Sequence, residues 1–246
     1  MRLAIYCELK ENEIPLDYRR KVVSLFKSCL SSYDKEVYDQ YYHEKDPIQK
    51  EYTFSTFFSS PKMKKDSIEI PNKKIIINFS TSDNILGINF YNAFIKKIGE
   101  NIKFSDLNVI KITKVVLQKE KKIAENKVTF KIQSPLIVRD HNLETGKDWY
   151  YACDDKEFDE IFKRNLYNQL KDKFTKDITN DIENLEIKNV SMKKIIVSSY
   201  GIKMASTIGI FEMTGEQYIL NEIYQSGAGS KKSLGFSMLD IAWGEV

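Results

Sequence analysis

The chain has 246 residues, 42% of them hydrophobic and 30% charged, with a formal net charge of +3. That length suits two domains of modest size, and enough Ile, Leu, Val and Phe are present for a real core, which excludes global disorder. The small net charge by itself points to no nucleic-acid partner, because an overall value hides local clusters. Lysine dominates the cations, with only five arginines. Cys7, Cys29 and Cys153 stand far apart without metal-ligand spacing, and their odd number argues against a disulfide framework, so reduced thiols are expected. No apolar run reaches membrane-spanning length, and the N-terminal residues lack a signal-peptide core, so a cytoplasmic protein without membrane contact is expected.

In chain order, residues 2–9 read as a strand, and Pro15 follows in a turn. Val22, Val23, Leu25, Phe26 and Leu30 recur at helical spacing, which predicts a helix over 17–30 that Ser31 and Ser32 interrupt. A short helix over 34–42 comes next, then a polar segment over 43–50 with Pro47, then strands over 52–58 and 75–77. Residues 83–98 suit a helix ending at Gly99, a good C-terminal cap. Residues 109–117 complete a β-α-β-β-α-β unit. The charged seam Lys119-Glu120-Lys121-Lys122 is a candidate linker.

After the seam the pattern begins again. Strands are expected over 128–132 and 136–139, with a turn over 142–147 at Gly146, and then Trp149-Tyr150-Tyr151. A long amphipathic helix follows over 155–174, with Phe158, Ile161, Phe162, Leu166 and Leu170 on one face. Strands come around 193–197 and 202–213, a helix over 217–224, the glycine-rich stretch, and a last strand over 236–243. The fold class expected is α+β, with two tandem ferredoxin-like (RRM-like) domains over 1–118 and 123–246.

The stretch Gly227-Ala228-Gly229-Ser230-Lys231-Lys232-Ser233-Leu234-Gly235-Phe236-Ser237-Met238 lies between a helix and a strand. It is therefore no dinucleotide fingerprint, which needs strand, turn and helix in that order, and it lacks the Gly-Lys-Ser/Thr ending of a Walker sequence. Glycine lets a backbone approach a phosphate closely, and Lys231, Lys232, Ser230 and Ser233 add charge and donors. On composition alone it is equally a flexible lysine-bearing loop. Its surroundings decide further: Gly209-Ile210-Phe211, Thr214-Gly215 and the run from Tyr224 to Phe236 closely resemble the C-terminal signature of the CRISPR-associated processing nucleases. These are the Cas-six type within the RAMP superfamily. The family pattern is glycine, apolar, glycine, a basic spacer, then glycine, apolar, glycine; here Ser237 stands at the last glycine. Ser134-Pro135-Leu136-Ile137-Val138-Arg139 and the helix with Phe162 and Asn165-Leu166 also resemble the family's middle.

The resemblance implies two tandem ferredoxin-like domains and cleavage of single repeat sites in a long CRISPR precursor RNA. It implies no metal and no cofactor, and a 2′,3′-cyclic phosphate product. RNA contacts then fall to Gly227, Gly229, Ser230, Lys231, Lys232, Ser233 and Gly235. The expected partner is CRISPR repeat RNA; other effector subunits and a homodimer are compatible with the same sequence.

A nuclease without metal moves protons with side chains, and histidine suits that near neutral pH. His43 precedes Lys50 and the Tyr52-Thr53-Phe54-Ser55 run, which is similar to the family segment carrying the catalytic histidine and lysine. Gapless counting back from His43 puts the family's tyrosine at Ser28. Tyr33 or Tyr42 then substitutes, or His43 and Lys50 act alone. His141, in Arg139-Asp140-His141-Asn142, reads as an exposed loop histidine. Asp154, Asp155, Glu157, Asp159 and Glu160 read as acids at a helix start, where they favour the dipole, rather than as a metal cluster. Lys62, Lys64 and Lys65 form a basic loop. A non-catalytic RNA-binding subunit on the same fold is the alternative, and a nucleotide-phosphate-binding protein is a more remote one; His43 beside Lys50 is what a pure binder does not need.

Overall fold

The structure is a computed structural model that describes residues 1–42 and 50–243. The chain divides into two compact units. The first comprises Met1–Glu120 together with Ser233–Gly235; the second comprises Lys121–Lys232 and the segment from Phe236 onward.

In the first unit the chain runs β1 (Arg2–Leu9), β2 (Glu13–Pro15), α1 (Tyr18–Tyr33), α2 (Lys35–Tyr42), β3 (Tyr52–Phe58), β4 (Lys62–Met63), β5 (Ser67–Glu69), β6 (Lys74–Thr81), α3 (Asn84–Lys96), β7 (Asn101–Lys103) and β8 (Val109–Gln118). The main sheet has the order β3-β6-β1-β8-β7 with antiparallel neighbours throughout. Stripped of its edge strand β7, this is the ferredoxin-like arrangement, with α1 and α3 as its two crossing helices. Helix α1 continues through Ser31 and Ser32, contrary to the expected interruption, because two serines weaken a helix without breaking it. It stops at Asp34, whose backbone is extended (φ −154°). The Asp34 carboxylate then accepts from the amides of Glu36 and Val37 at 2.8 and 3.1 Å, which caps the start of α2. Asp83 caps α3 in the same way, accepting from Ile85 and Leu86. Gly99 lies two residues beyond the C-cap Lys97, with φ +84°.

The apolar stripe of α1, with Val22, Phe26 and Leu30, packs on the inward row of the sheet that holds Ile5, Phe54, Ile77 and Phe79. Phe26 is the hub. Its ring centroid lies 5.1–6.1 Å from those of Tyr52, Phe54, Phe79, Phe90 and Phe94.

The second unit runs β9 (Lys127–Ile132), β10 (Val138–His141), β11 (Asp148–Tyr151), α4 (Phe158–Leu170), α5 (Thr179–Glu183), β12 (Glu186–Asn189), β13 (Lys193–Ser199), β14 (Ile202–Ile208), β15 (Ile210–Thr214), α6 (Gln217–Ser226) and β16 (Leu239–Trp243). Its sheet, β12-β15-β9-β16, repeats the ferredoxin-like order, again antiparallel. Two hairpins, β10–β11 and β13–β14, are inserted into that frame. The strand expected over 202–213 is two strands, because Gly209 has φ +114° and turns the chain between β14 and β15. Helix α4 begins three residues later than expected: Asp155 accepts from the Ala152 amide at 2.7 Å and closes a turn there first. The last strand starts at Leu239 because Gly235 and Ser237 hold left-handed backbone (φ +85° and +63°), which no strand accommodates.

Truncating the hub should therefore cost more than truncating any single rim residue. Phe26→Ala is expected to destabilise the chain by about 3–5 kcal/mol, the range for buried phenylalanine with a cavity left behind. Chemical denaturation checks it; a loss under about 1 kcal/mol would mean that the aromatic cluster repacks freely.

Candidate nucleic-acid site

His43 lies outside the described residues. The other catalytic candidates fall on the first unit. Tyr42, the last residue of α2, shares a hydrogen bond with Tyr52 between hydroxyls 2.8 Å apart, and its ring stacks on Tyr38 at 5.2 Å. Two ammonium groups flank that ring: Lys50 Nζ at 4.9 Å and Lys27 Nζ at 5.0 Å from its centroid. Burial and then the nearby Lys27 charge push the Lys50 pKa below its ordinary value. Two cations crowded on one tyrosine give a locus that gains from an arriving anion. Lys27, on α1 next to Ser28, was not singled out in the sequence; its one signal was its place beside the position counted for the family's tyrosine. Tyr33 stands apart from this cluster, its hydroxyl accepting from Asn92 Nδ2 at 3.2 Å. The sequence thus grouped Tyr33 with Tyr42, but only Tyr42 meets Lys50.

The basic loop is less available than its composition suggested. Lys62 pairs with Glu69, and Lys64 pairs with both Glu13 and Glu69.

In the second unit the glycine-rich segment is mostly buried, and its backbone serves internal packing. Gly227 (φ +80°) donates to the Ile223 carbonyl at 2.9 Å. Gly229 (φ +93°) sits so close to β10 that a Cβ there would meet the Ile137 carbonyl oxygen at 2.6 Å. Two side chains one turn apart on α4 hold the segment. Gln169 donates to the Gly227 carbonyl at 2.8 Å and accepts from the Gly229 amide at 3.2 Å. Asn165 accepts from the Ser230 hydroxyl at 2.8 Å and brackets Arg139, accepting from its amide at 3.0 Å and donating to its carbonyl at 2.8 Å. Ser237 replaces a family glycine without relaxing the turn: its Oγ accepts from the Ile137 amide at 3.2 Å and donates to the Ser230 carbonyl at 3.3 Å. Gly235, counted with the first unit, has no room either, since a Cβ would lie 2.6 Å from the Phe54 ring; its carbonyl accepts from Arg19 Nε at 3.1 Å.

These contacts change the expected division of labour within the loop. Gly227, Gly229 and Gly235 are buried, and the amides of Gly227, Gly229 and Ser230 are spent inside the protein. Lys232, in a short 3₁₀ turn that also holds Ser233, is 4% exposed. Lys231, with left-handed backbone (φ +57°), is the loop's half-buried cation, 5.8 Å from the Tyr150 ring centroid. Burial and the Arg139 charge push its pKa down, partly countered by Asp148.

His141 is not an isolated loop residue. It ends β10, and its Nδ1 lies 2.7 Å from Asp148 Oδ1 across the hairpin. The other Asp148 oxygen accepts from the Tyr150 hydroxyl at 2.9 Å and from Arg139 at 3.4 Å. Burial raises the Asp148 pKa, but bonds from His141 and Tyr150 and the charges of Arg139 and Lys231 outweigh it and hold it below the ordinary carboxylate value. Burial and the Asp148 hydrogen bond push Tyr150 up to about 12, so it stays a donor at neutral pH. Asp154 and Asp155 both pair with Lys194, at 3.1 and 3.0 Å.

Gln169→Ala removes the acceptor of the buried Gly229 amide and the shorter of two bonds to the Gly227 carbonyl, and should cost about 1–3 kcal/mol in denaturation. Because the folded-state pKa of Asp148 is below its unfolded value of about 3.9, its stabilising contribution is complete above that pH and is lost as pH falls through the lowered value. Asp148→Asn should flatten the acid side of the stability–pH profile. An unchanged profile in thermal melts below pH 5 would show that the carboxylate is not held as the contacts imply.

Residues 118–241, half of the chain, match the family described as CRISPR associated protein Cas6, C-terminal. No curated protein matches the sequence significantly. Several solved structures match over nearly their whole length. One, described as the characterization of a Cas6-related gene from Pyrococcus furiosus, is 20% identical over 100% of this chain and 99% of that one, with a TM-score of 0.83. Another, an RAMP protein binding different RNA substrates, is 20% identical over 99% and 100%, with a TM-score of 0.81. A Cas6 product complex from Thermus thermophilus is 15% identical over 97% and 99%, with a TM-score of 0.72. These likenesses show the shared fold of two tandem ferredoxin-like domains. With the same fold in both units and its C-terminal half matching the family throughout, the chain belongs to the Cas6 family of CRISPR-associated proteins.

Proposed function

We propose that the chain is a metal-independent endoribonuclease that cuts CRISPR repeat RNA in its precursor transcript. The observation that carries this reading is the crowding of Lys27 and Lys50 on Tyr42, at the end of the helix that leads into His43. In the reaction, the 2′-oxygen of the nucleotide before the cut attacks the adjacent phosphorus, and the bond from phosphorus to the 5′-oxygen breaks. The 2′-hydroxyl proton passes to a base, and the departing 5′-oxygen takes a proton from an acid. The products are a 2′,3′-cyclic phosphate and a 5′-hydroxyl. His43 acts in one of these transfers, Lys50 neutralises charge that builds on the phosphorane, and Tyr42 orients the lysine. Tyr33 is a less direct candidate, held by Asn92. Lys231 is the loop residue assigned to RNA phosphate, with Gly227, Gly229, Ser230, Lys232, Ser233 and Gly235 shaping the turn that presents it.

The second reading, a non-catalytic RNA-binding subunit, is favoured by Ser28 at the position counted for the family's tyrosine, and by the likeness to an RAMP protein binding different RNA substrates. Single-turnover cleavage of RNA bearing the host's own repeat separates the two. Cleavage is expected in excess EDTA and is expected to stop when the nucleotide before the cut is 2′-deoxy. His43→Ala should lose about 10²–10⁴-fold in rate while keeping affinity, because a proton-transfer group acts in the transition state. Lys50→Ala should slow the same step, Lys231→Glu should weaken binding and flatten its salt dependence, and His141→Ala should do little. Cutting of the deoxy substrate, or arrest by EDTA, would overturn the mechanism; no cleavage by the wild type, with repeat RNA bound, would favour the binding subunit.

A further inference from the structure

The hairpin β10–β11 bears four polar side chains on one face. Its register pairs Arg139 with Tyr150 and His141 with Asp148, while Asp140 and Trp149 take the opposite face. Backbone clasps hold a fifth group beside them. Ser230 donates from its amide to the Ile137 carbonyl at 2.8 Å, and from its hydroxyl to Asn165, which brackets the Arg139 backbone. Lys231 follows directly, its Nζ 5.8 Å from the Tyr150 ring centroid. Burial lowers its pKa first and the Arg139 charge next, with Asp148 opposing them, so both charges act on it.

Asp148 orients the histidine. Its Oδ1 lies 2.7 Å from His141 Nδ1, and its Oδ2 accepts from Tyr150 at 2.9 Å and from Arg139 at 3.4 Å. These bonds keep the carboxylate ionised although burial opposes it, and an ionised carboxylate only accepts. The ring proton of neutral His141 therefore stands on Nδ1, and Nε2 carries the free lone pair. The His141 side chain is 38% exposed, so water reaches it. One cation, Arg139, suffices to neutralise Asp148; the histidine adds a base that the hairpin's stability does not require.

From this cluster we infer a second catalytic site, one that hydrolyses nucleoside 2′,3′-cyclic phosphates to phosphomonoesters. His141 Nε2 takes a proton from water, and the water oxygen bonds to phosphorus. The bond from phosphorus to the 2′-oxygen breaks, and that oxygen takes a proton from the Lys231 ammonium. A 3′-phosphate and a free 2′-hydroxyl result, and the proton on His141 returns to Lys231 through solvent. Arg139 gives Asp148 one long bond and binds the non-bridging phosphate oxygens with its remaining N–H groups. Asp148 and Tyr150 are positioning residues. The site consumes the kind of end that the proposed cleavage leaves, but it goes beyond that reading, because its substrate can be supplied ready-made.

The test uses the full chain and 2′,3′-cyclic CMP, with phosphorus NMR following conversion of the ring phosphodiester to a monoester. The wild type should turn it over. His141→Ala should lose about 10²–10⁴-fold in kcat, and added imidazole should restore part of the loss. Asp148→Asn should lower kcat and leave KM nearly unchanged. Thermal melts guard against unfolding; should His141→Ala fail to fold, His141→Gln decides by the same loss. Binding of the nucleotide without turnover overturns the site, as does undiminished turnover by the folded His141 variant. So does turnover that His43→Ala abolishes and His141→Ala keeps, which would return the activity to the first unit. A wild type that cuts repeat RNA but leaves the cyclic nucleotide intact sinks the second site and leaves the ribonuclease reading standing. Hydrolysis that depends on His141, without any cut in repeat RNA, does the reverse.

Discussion

The second unit depends on the close approach of the Gly229 backbone to the Ile137 carbonyl. A side chain at that point would drive the loop off β10, and with it the two clasps that α4 extends through Asn165 and Gln169. Left-handed backbone recurs at Gly227, Gly229, Lys231, Gly235 and Ser237, and this alternation folds the segment into a tight, buried turn. The glycines are thus required by packing, whereas Lys231 keeps its side chain only half-buried. Ser237 shows that the constraint is conformational: a residue with a Cβ adopts the same backbone sign when its hydroxyl gains two hydrogen bonds in return.

The two units use charge in different ways. Around Tyr42 two lysines stand close together on one ring, and burial together with the Lys27 charge lowers the pKa of Lys50. On the hairpin β10–β11, Asp148 bonds Arg139, His141 and Tyr150, and its charge partly offsets the lowering of the Lys231 pKa by burial and Arg139. The first arrangement gathers positive charge on one ring, whereas the second gathers its groups around one carboxylate.

Much of the frame was legible because its signals are local. The stripe of α1, the helix that ends ahead of Gly99 and the strand-like run of β3 each follow from residues within one or two turns of one another. What escaped was set by contacts distant in sequence. Nothing near Ser31 and Ser32 showed that burial of Cys29 and Leu30 would carry α1 past them. Lys27 was invisible as a site residue because its meeting with Tyr42 comes from helix packing. Gln169 read as one more polar residue on an amphipathic helix, though its amide faces a segment some sixty positions away. The pairing of His141 with Asp148 needed the hairpin register, which a turn at Gly146 only hinted at. The glycine motif was recognisable, but its burial was not, because composition cannot distinguish a loop that embraces a ligand from one that embraces its own fold.

The first unit closes late. Phe54 and Arg19 lie in the first quarter of the chain, yet the residue that fills the space against the one ring and accepts from the other's guanidinium is Gly235. During synthesis, that partner emerges only after the whole of the second unit's helices and most of its strands. At about 5–20 residues per second the delay is on the order of ten seconds, far longer than a small α+β domain needs to collapse. The nascent first unit must therefore wait in a nearly finished form on the ribosome, with the Phe54 ring uncapped. Its own aromatic cluster around Phe26, complete within the first 94 residues, is what allows it to wait.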